Sequence, residues 1–355
     1  MRLAHGTVET PAFGPVATRG AVKGVASPAL EECGVQLLLA NAYHLHLRPG
    51  TETIASLGGI HRFMAWNRPI ITDSGGFQVF SLARLSRITD DGVEFYSPED
   101  GSQAFLGPRE SMRAQELLGA DVAMAFDECP PYPCTREAAA AAVERTLRWA
   151  RICRDVHSRR DQALFGIVQG SIFEDLRAEC AEKIVGMGFD GYAIGGVSVG
   201  EEGPLRTKVV RLTAPLLPAD RPRYLMGVGF PADVLATVRE GIDLFDCVAP
   251  TRMGRNATAF TAAGRLRLRN SRWRTDARPI EEGCDCLACR LYSRAALSHM
   301  FRSREMLAPV LVSIHNIRFY GRMMQGARGA IRAGSFAAFC DAFLGRHQQG
   351  KDAQE

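Results

Sequence analysis

The chain has 355 residues, 46% of them hydrophobic and 23% charged, with a formal net charge of +4. That length buries a large core and admits one α/β domain with an appendage, or two domains. No run of eighteen apolar residues marks a membrane span, and the opening Met1-Arg-Leu-Ala-His-Gly-Thr-Val lacks the apolar core of a signal peptide. Ten cysteines without a secretion signal point to reduced thiols or metal ligands in the cytoplasm, not to a disulfide framework. The net charge does not by itself announce a nucleic-acid binder; its distribution matters more.

In chain order, the first 25 residues carry Gly6, Pro11, Gly14, Pro15, Gly20 and Gly24, which predict β-hairpins covering one mouth of the fold. Ser27-Pro28 opens a helix that Gly34 closes, and residues 35–40 read as a strand. Residues 69–72 read as another strand, ending at Asp73. Residues 87–106 read as a hairpin insertion with turns at Asp91-Gly92 and Asp100-Gly101, overhanging whatever follows Asp73. The strand at 121–126 ends at Asp127, and Thr135 opens an Ala- and Arg-rich helix to about residue 157. Residues 164–168 end at Gln169, 192–194 at Gly195-Gly196, 224–226 at Gly227 and 242–245 at Asp246. Helices fill 174–187 and 231–240, the latter closed by Gly241, and the polar tail from Lys351 is expected to fray.

Strands alternating with helices imply a parallel sheet, and polar residues recur directly after the apolar runs. In a (β/α)8 barrel those strand ends meet on one face, where active sites are built from several strands. An open doubly wound sheet also binds ligands at strand ends, but no Gly-x-Gly-x-x-Gly fingerprint opens a helix here. The barrel is the favoured fold, as one domain over 1–355. Residues 265–320 are expected to form a metal-binding, RNA-contacting subdomain within it.

A metal site is expected at Cys284-Asp-Cys286-Leu-Ala-Cys289, with His315 after 25 intervening residues. Three thiolates and an imidazole make a closed tetrahedral set suited to one structural Zn2+. His299 competes as fourth ligand, but His315 leaves room for a helix that the ion would pin. Six arginines lie in 265–278, and in Arg265-Leu-Arg-Leu-Arg269 the alternation puts them on one face of a strand. More follow at Arg302, Arg304, Arg318, Arg322, Arg328 and Arg332. A solvated charged face explains such a run alone; beside the cysteine knuckle and Arg252 and Arg255, an RNA-backbone surface is the better account.

The stretch 244–256 alone reads as a strand leaving the core, with Arg252 and Arg255 on the loop after Asp246. Paired with Asp73 across a barrel mouth, Asp246 acquires another meaning. Displacement at a sugar carbon needs one carboxylate to attack the anomeric centre while another group manages the leaving group's proton. Asp127 and Gln169 would present a planar edge to a purine-like base, and Gly75-Gly76 and Gly195-Gly196 would let a flat ligand approach backbone amides. Phe77 and Met226 could close on its two faces. For any one of these acids, a cap or a buried hydrogen bond is the plainer role; their convergence argues otherwise.

These residues fall in motifs that resemble the bacterial tRNA-guanine transglycosylase (queuine tRNA-ribosyltransferase) family over nearly the whole chain. The motifs are Asn41-Ala-Tyr-His-Leu, Thr72-Asp-Ser-Gly-Gly-Phe-Gln-Val-Phe-Ser81, Phe126-Asp-Glu-Cys-Pro, Gly166-Ile-Val-Gln-Gly170, Tyr192-Ala-Ile-Gly-Gly196, Leu225-Met-Gly-Val-Gly229, Leu244-Phe-Asp-Cys-Val through Arg255-Asn, and the cysteine knuckle. The resemblance implies a (β/α)8 barrel with a zinc insertion. It implies exchange of the wobble guanine of G-U-N anticodon tRNAs for 7-aminomethyl-7-deazaguanine. By that match Asp246 is the nucleophile, giving a covalent intermediate and net retention, and Asp73 is the general acid/base. Asp73, Ser74, Gly75, Gly76, Phe77, Asp127, Gln169, Gly195, Gly196, Val197 and Met226 would bind the base, with the Val197 peptide meeting the aminomethyl group. Gly227, Val228, Gly229, Phe230, Pro231, Ala232 and Asp233, with Thr251, Arg252, Met253, Gly254 and Arg255, would contact RNA. The extruded base would enter the pocket by flipping.

Three positions depart from the family pattern. Phe77 stands where many bacterial members have tyrosine, and Val197-Ser198-Val199 replaces the usual Leu-Ala-Val. Val199 favours the bacterial substrate over queuine. The N-terminus is short enough to lack a leading strand. The resemblance also implies a homodimer, with Tyr292 and His299 in its interface and Ala296 small where an aromatic is expected. A non-catalytic subunit of the same fold would lack the nucleophile, and a metallohydrolase would need strand-end histidines, which only His44 and His46 approach. The archaeal relatives usually carry an added C-terminal RNA-binding domain, for which this chain ends early.

Overall fold

A computed structural model describes residues 1–82 and 86–352, with side chains described for 1–79 and 86–346. Eight parallel strands close into a barrel: β1 Ala12–Ala17, β2 Leu38–Ala40, β3 Ile70–Thr72, β4 Val122–Met124, β5 Ala163–Val168, β6 Gly191–Ile194, β7 Arg223–Leu225 and β8 Leu244–Cys247. Their order round the ring is their order in the chain, and β8 meets β1 with Asp246 beside Gly14.

The strands are apolar throughout because both faces are buried. Along β5, Phe165 and Ile167 join Leu39, Ile71, Met124 and Tyr224 in the lumen cluster, while Leu164 and Val168 pack outward under the helices. The fold is therefore a (β/α)8 barrel whose interior is filled with side chains, not an open pore.

Seven strands lie where the apolar runs place them: β2, β3 and β4 are shorter than predicted, β5 and β6 start one residue earlier, β7 is shifted back by one, and β8 is shifted forward so that it includes Asp246. The eighth corrects the reading of the first 25 residues. Arg2–Leu3 and Gly6–Thr7 do form a hairpin, but Ala12–Ala17 is a barrel strand, buried at all six positions. Gly14 and Pro15 hid it, since both argue against an interior strand. The hairpin caps the N-terminal end of the barrel, with Met1 and Leu3 packed on the lumen cluster that contains Val8.

That end is also tied by Asp121. Its Oδ1 accepts from the His5 amide at 2.8 Å and pairs with His5 Nδ1 at 3.0 Å. Its Oδ2 accepts from the Ile70 amide and pairs with His61 Nε2, both at 2.9 Å. Burial pushes the carboxyl up, but the His61, Ile70 and His5 hydrogen bonds outweigh it and hold the pKa at about 2. A depressed carboxyl stabilises the fold above its unfolded pKa, and that contribution disappears as pH falls from about 4 through about 2. Asp121→Asn should therefore cost roughly 2 kcal/mol in urea unfolding at pH 7, with the gap to the unmodified protein narrowing below pH 4. A gap independent of pH would refute the ionic account.

Thr135 caps the helix Arg136–Val156 as expected, accepting from the Ala138 amide at 3.2 Å. Ser27 is not a cap: Ala26 holds that position, and the Ser27 hydroxyl donates to the Met64 carbonyl at 3.1 Å. Residues after β8 form a helix, Ala249–Arg255, where a loop was expected; Pro250 sits in its first turn, which suits proline. The insertion after β3 is a three-stranded antiparallel sheet (Ser86–Ile88, Val93–Tyr96, Gln103–Leu106) because both predicted turns are used. Beyond the barrel come a hairpin, Thr258–Thr261 with Gly264–Arg267, and the helices Leu287–Leu291, Arg294–Arg302 and Leu307–Arg332. Leu266 and Leu268 are buried while Arg267 and Arg269 are exposed, as the alternation predicts. Helix Phe336–Asp352 includes Lys351, and residues 353–355 of the predicted frayed tail lie outside the described residues. No helix among the described residues is long and apolar enough to cross a membrane.

Candidate active site and metal centre

The residues at the C-terminal ends of the strands gather round one cavity of ≈ 550 Å³. Asn41 follows β2, Asp73 and Ser74 follow β3, Gln169 follows β5, Gly195 and Gly196 follow β6, and Met226 follows β7. Asp127 lies three residues past β4, and Asp246 is in β8 itself. A cavity of ≈ 760 Å³ opens at the opposite end, where Arg2, Arg160, Asp190 and Asp243 line it. None of the strand-end acids reaches that cavity, so the chemistry belongs to the first.

Asp73 is held on both oxygens. Oδ1 accepts from the Ala42 amide at 2.9 Å, and Oδ2 from Gln78 Nε2 at 2.7 Å and from Asn41 Nδ2. Burial raises its pKa to about 7 against those hydrogen bonds, with the charge of Asp246 adding to the rise. Near neutrality such a carboxyl can give or take a proton. Asp246 is anchored on one oxygen only. The Tyr224 hydroxyl at 2.7 Å and the Gly227 amide at 2.8 Å both donate to Oδ1, and no hydrogen bond among the described residues occupies Oδ2. Burial raises its pKa, opposed by Tyr224 and Gly227. An oriented carboxylate with one bare oxygen can act as a nucleophile.

Between these acids lies a hydrogen-bonding wall. Asp127 accepts from Ser74 Oγ at 3.1 Å and Gln169 Nε2 at 2.7 Å, and burial lifts its pKa to about 6. Gln169 Oε1 is buried with no partner among the described residues. Phe77, 48% exposed, and Met226 also line the cavity. Gly75 and Gly76 do not; they sit behind the wall, Gly76 against the Asp127 backbone. Val197 and Ser198 line it too, and Glu201 accepts from the Ser198 amide and, at 2.9 Å, from the Val199 amide. Arg206 holds Glu201 at 2.9 Å and Asp233 at 2.7 Å.

The predicted RNA contacts divide. Gly227, Gly229, Phe230 and Arg252 stand at the cavity, and Arg255 is exposed on the same short helix as Arg252. Val228, Pro231, Thr251 and Gly254 are buried, and Met253 and Ala232 are half-buried. Helical geometry explains the split, since Arg252 and Arg255, three apart, share one face. The sheet at 86–106 flanks the mouth, with Phe95 against Tyr43 at 5.6 Å, but supplies no lining residue.

Cys284, Cys286, Cys289 and His315 meet in a second cluster able to hold a metal ion. His315 Nδ1 lies 3.7, 3.6 and 3.3 Å from the three sulfurs in that order. Tetrahedral Zn2+ bonds place sulfur and nitrogen ligands about 3.5 Å apart, so the donor set fits such an ion. His315 Nε2 donates to the Phe260 carbonyl at 2.8 Å, which aims Nδ1 at the thiolates. His299 lies on the helix Arg294–Arg302 and takes no part in the cluster.

Strand-end reasoning passed over Asn41, although it follows β2 as Asp73 follows β3. Tyr224, Glu201 and Arg206 carried no signal in residue type or spacing.

A family model described as queuine tRNA-ribosyltransferase matches residues 1–349. A protein of that name from Pelotomaculum thermopropionicum is 52% identical over 344 residues, covering 97% of this chain and 93% of the relative. The one from Nitrosomonas europaea is 52% identical over 346 residues, 98% and 93% of the two chains. The one from Syntrophobacter fumaroxidans is 50% identical over 355 residues, 100% and 95%.

Proposed function

This chain belongs to the queuine tRNA-ribosyltransferase family and is a pentosyltransferase, and on that premise we propose that it exchanges the wobble guanine of G-U-N anticodon tRNAs (Asp, Asn, His, Tyr) for 7-aminomethyl-7-deazaguanine. The observation that carries the proposal is the pair of unlike carboxylates on one cavity, Asp246 with a bare oxygen and Asp73 near neutrality.

In the first displacement Asp246 Oδ2 bonds to C1′ of the flipped nucleotide while the bond from C1′ to guanine N9 breaks. The bonding pair leaves on the base, and Asp73 supplies the proton that neutralises it. In the second, N9 of the deazaguanine bonds to C1′, its proton passes to Asp73, and Asp246 is released. Two inversions give net retention. Asp127, Gln169 and Gly196 read the base edge, and Phe77 and Met226 cover its faces. The Ser198 N–H donates to Glu201, so in a trans peptide the Val197 carbonyl faces the other way, toward the cavity. That carbonyl is the acceptor for the aminomethyl ammonium.

Arg252 and Arg255 hold the anticodon loop, and the arginines of 265–278 track its backbone. The cysteine cluster holds one structural Zn2+ in a subdomain, residues 265–320, of a single catalytic unit over 1–355. The protein acts in the cytoplasm as a homodimer. Leu291 and Met306, 66% and 84% exposed beside the metal region, suit such an interface together with Tyr292 and His299.

The test is incorporation of labelled guanine into unmodified tRNA with a G-U-N anticodon, against tRNA with another anticodon. No exchange, or equal exchange into both, refutes the proposal. Asp73→Asn should lower kcat by about 10²–10⁴-fold and abolish an ionisation near pH 7 in the kcat/KM profile. An unchanged profile would remove Asp73 from the proton transfer.

A further inference from the structure

Arg177, in the helix Glu174–Gly186 behind the cavity, is 1% exposed and makes no ion pair among the described residues. Burial lowers its pKa to about 10, and its Nη1 is buried without a partner among the described residues. An unpaired guanidinium this deep is costly unless backbone dipoles solvate it. Here they do: Nε donates to the Ser171 carbonyl at 2.6 Å, and Nη2 to the Gly195 carbonyl at 2.9 Å and the Gly196 carbonyl at 3.4 Å.

These contacts decide where two amides point. The Gly195 N–H is committed to the Val168 carbonyl at 3.0 Å. With the Gly195 and Gly196 carbonyls turned to Arg177, the trans peptides turn the Gly196 and Val197 N–H groups the opposite way. That way lies the cavity, which Gly195, Gly196 and Val197 all line. Burial pushes the Cys129 thiol in the same wall up to about 12, and the Gly196 amide is among the groups that oppose the rise, consistent with an N–H on the cavity side. Gly196 has φ +64°, and a Cβ there would stand 2.4 Å from Gln169 Oε1. The loop is thus backbone laid directly on the site, and Arg177 is what orients it.

We propose that Arg177 is a positioning residue: it aims the Gly196 and Val197 amides at the exocyclic oxygen of the bound base, and so sets preference for 6-oxo bases. This rests on the base-exchange reading above. The probes are guanine and 6-thioguanine, which share every ring donor but differ in that acceptor, sulfur being the weaker one.

Arg177→Met should raise KM for guanine much more than it lowers kcat. It should also shrink the guanine/6-thioguanine preference in kcat/KM by about tenfold, the scale of one hydrogen bond. Arg177→Lys, which keeps the charge but lacks the two-pronged reach, should lose at least about threefold and so recover part of the preference. Equal weakening toward both bases, or an unchanged ratio, overturns the proposal in favour of a merely structural arginine. If Arg177→Met does not fold, the lysine variant decides alone, and a ratio within twofold of the unmodified protein overturns the proposal. Absence of guanine exchange in the unmodified protein would sink the reading of the site itself, which is distinguishable from exchange with an unaltered ratio.

Discussion

Asp246→Asn is expected to abolish base exchange, by roughly 10⁴-fold or more in kcat, as loss of a covalent nucleophile does. The substitution is nearly silent for the fold. Tyr224 and the Gly227 amide both donate to Oδ1 at 2.7 and 2.8 Å, and an asparagine oxygen accepts both. The new amide nitrogen replaces Oδ2, which has no hydrogen-bond partner among the described residues. Thermal stability should therefore stay within about 1 °C, a shift of less than about 1 kcal/mol for a chain of this length. The unmodified protein mixed with tRNA should leave an adduct that survives denaturing electrophoresis, and the variant should bind tRNA without one. Full exchange by the variant, or an adduct that persists in it, would assign the attack elsewhere.

The asymmetry between the two acids was only half legible in the sequence. Apolar runs that stop at Asp73, Asp127, Gln169 and Asp246 announce strand ends, and a barrel brings strand ends together whatever the loops do. Environment is another matter. Asp73 has donors on both oxygens and Asp246 on one, and those donors come from Asn41, Ala42, Gln78, Tyr224 and Gly227. Periodicity says which positions are buried, not which partner they meet. Tyr224 looks like any apolar strand residue until β7 lies beside β8, with Tyr224 opposite Leu244 and two residues short of Asp246.

The same limit explains the misread segments. Ala12–Ala17 carries a glycine and a proline, and only closure of the ring between β8 and β2 makes a strand of it. In 249–255 a helix stands where a loop is expected, because a first-turn proline starts a helix as readily as it makes a turn. The cysteine knuckle, by contrast, was legible because its ligands are local, and His315 was the better partner because the helix it sits on must be tied down.

Replacing Cys286 should be the most damaging change outside the catalytic pair. Cys286→Ala removes one of the proposed metal ligands and also a helix cap, since Cys286 Sγ accepts from the Cys289 amide at 3.4 Å at the start of Leu287–Leu291. Cys286→Ser separates the two effects, because a serine oxygen still caps but is a poor ligand for a thiolate-bound ion. If the ion holds the region together, both variants should lose about one Zn2+ per chain by elemental analysis and melt at least about 10 °C lower, since metal affinity at a structural site is folding free energy. The damage should reach the RNA side before the base pocket. His315 lies within the 26-residue helix Leu307–Arg332, whose Ser313 backbone packs so closely on Gly254 that a Cβ at Gly254 would stand 2.7 Å from it. Gly254 is in the helix Ala249–Arg255, which carries Arg252 to the cavity. Loosening the metal thus loosens the arginines, while Asp127, Gln169 and Asp73 hang from barrel strands that keep their own ladder. In whatever fraction of Cys286→Ser stays folded, KM for tRNA should rise by about tenfold or more, and KM for guanine should change little, as expected when contacts to one substrate alone are lost. Full zinc content and an unshifted melting curve in the serine variant would show that the knuckle does not hold the ion.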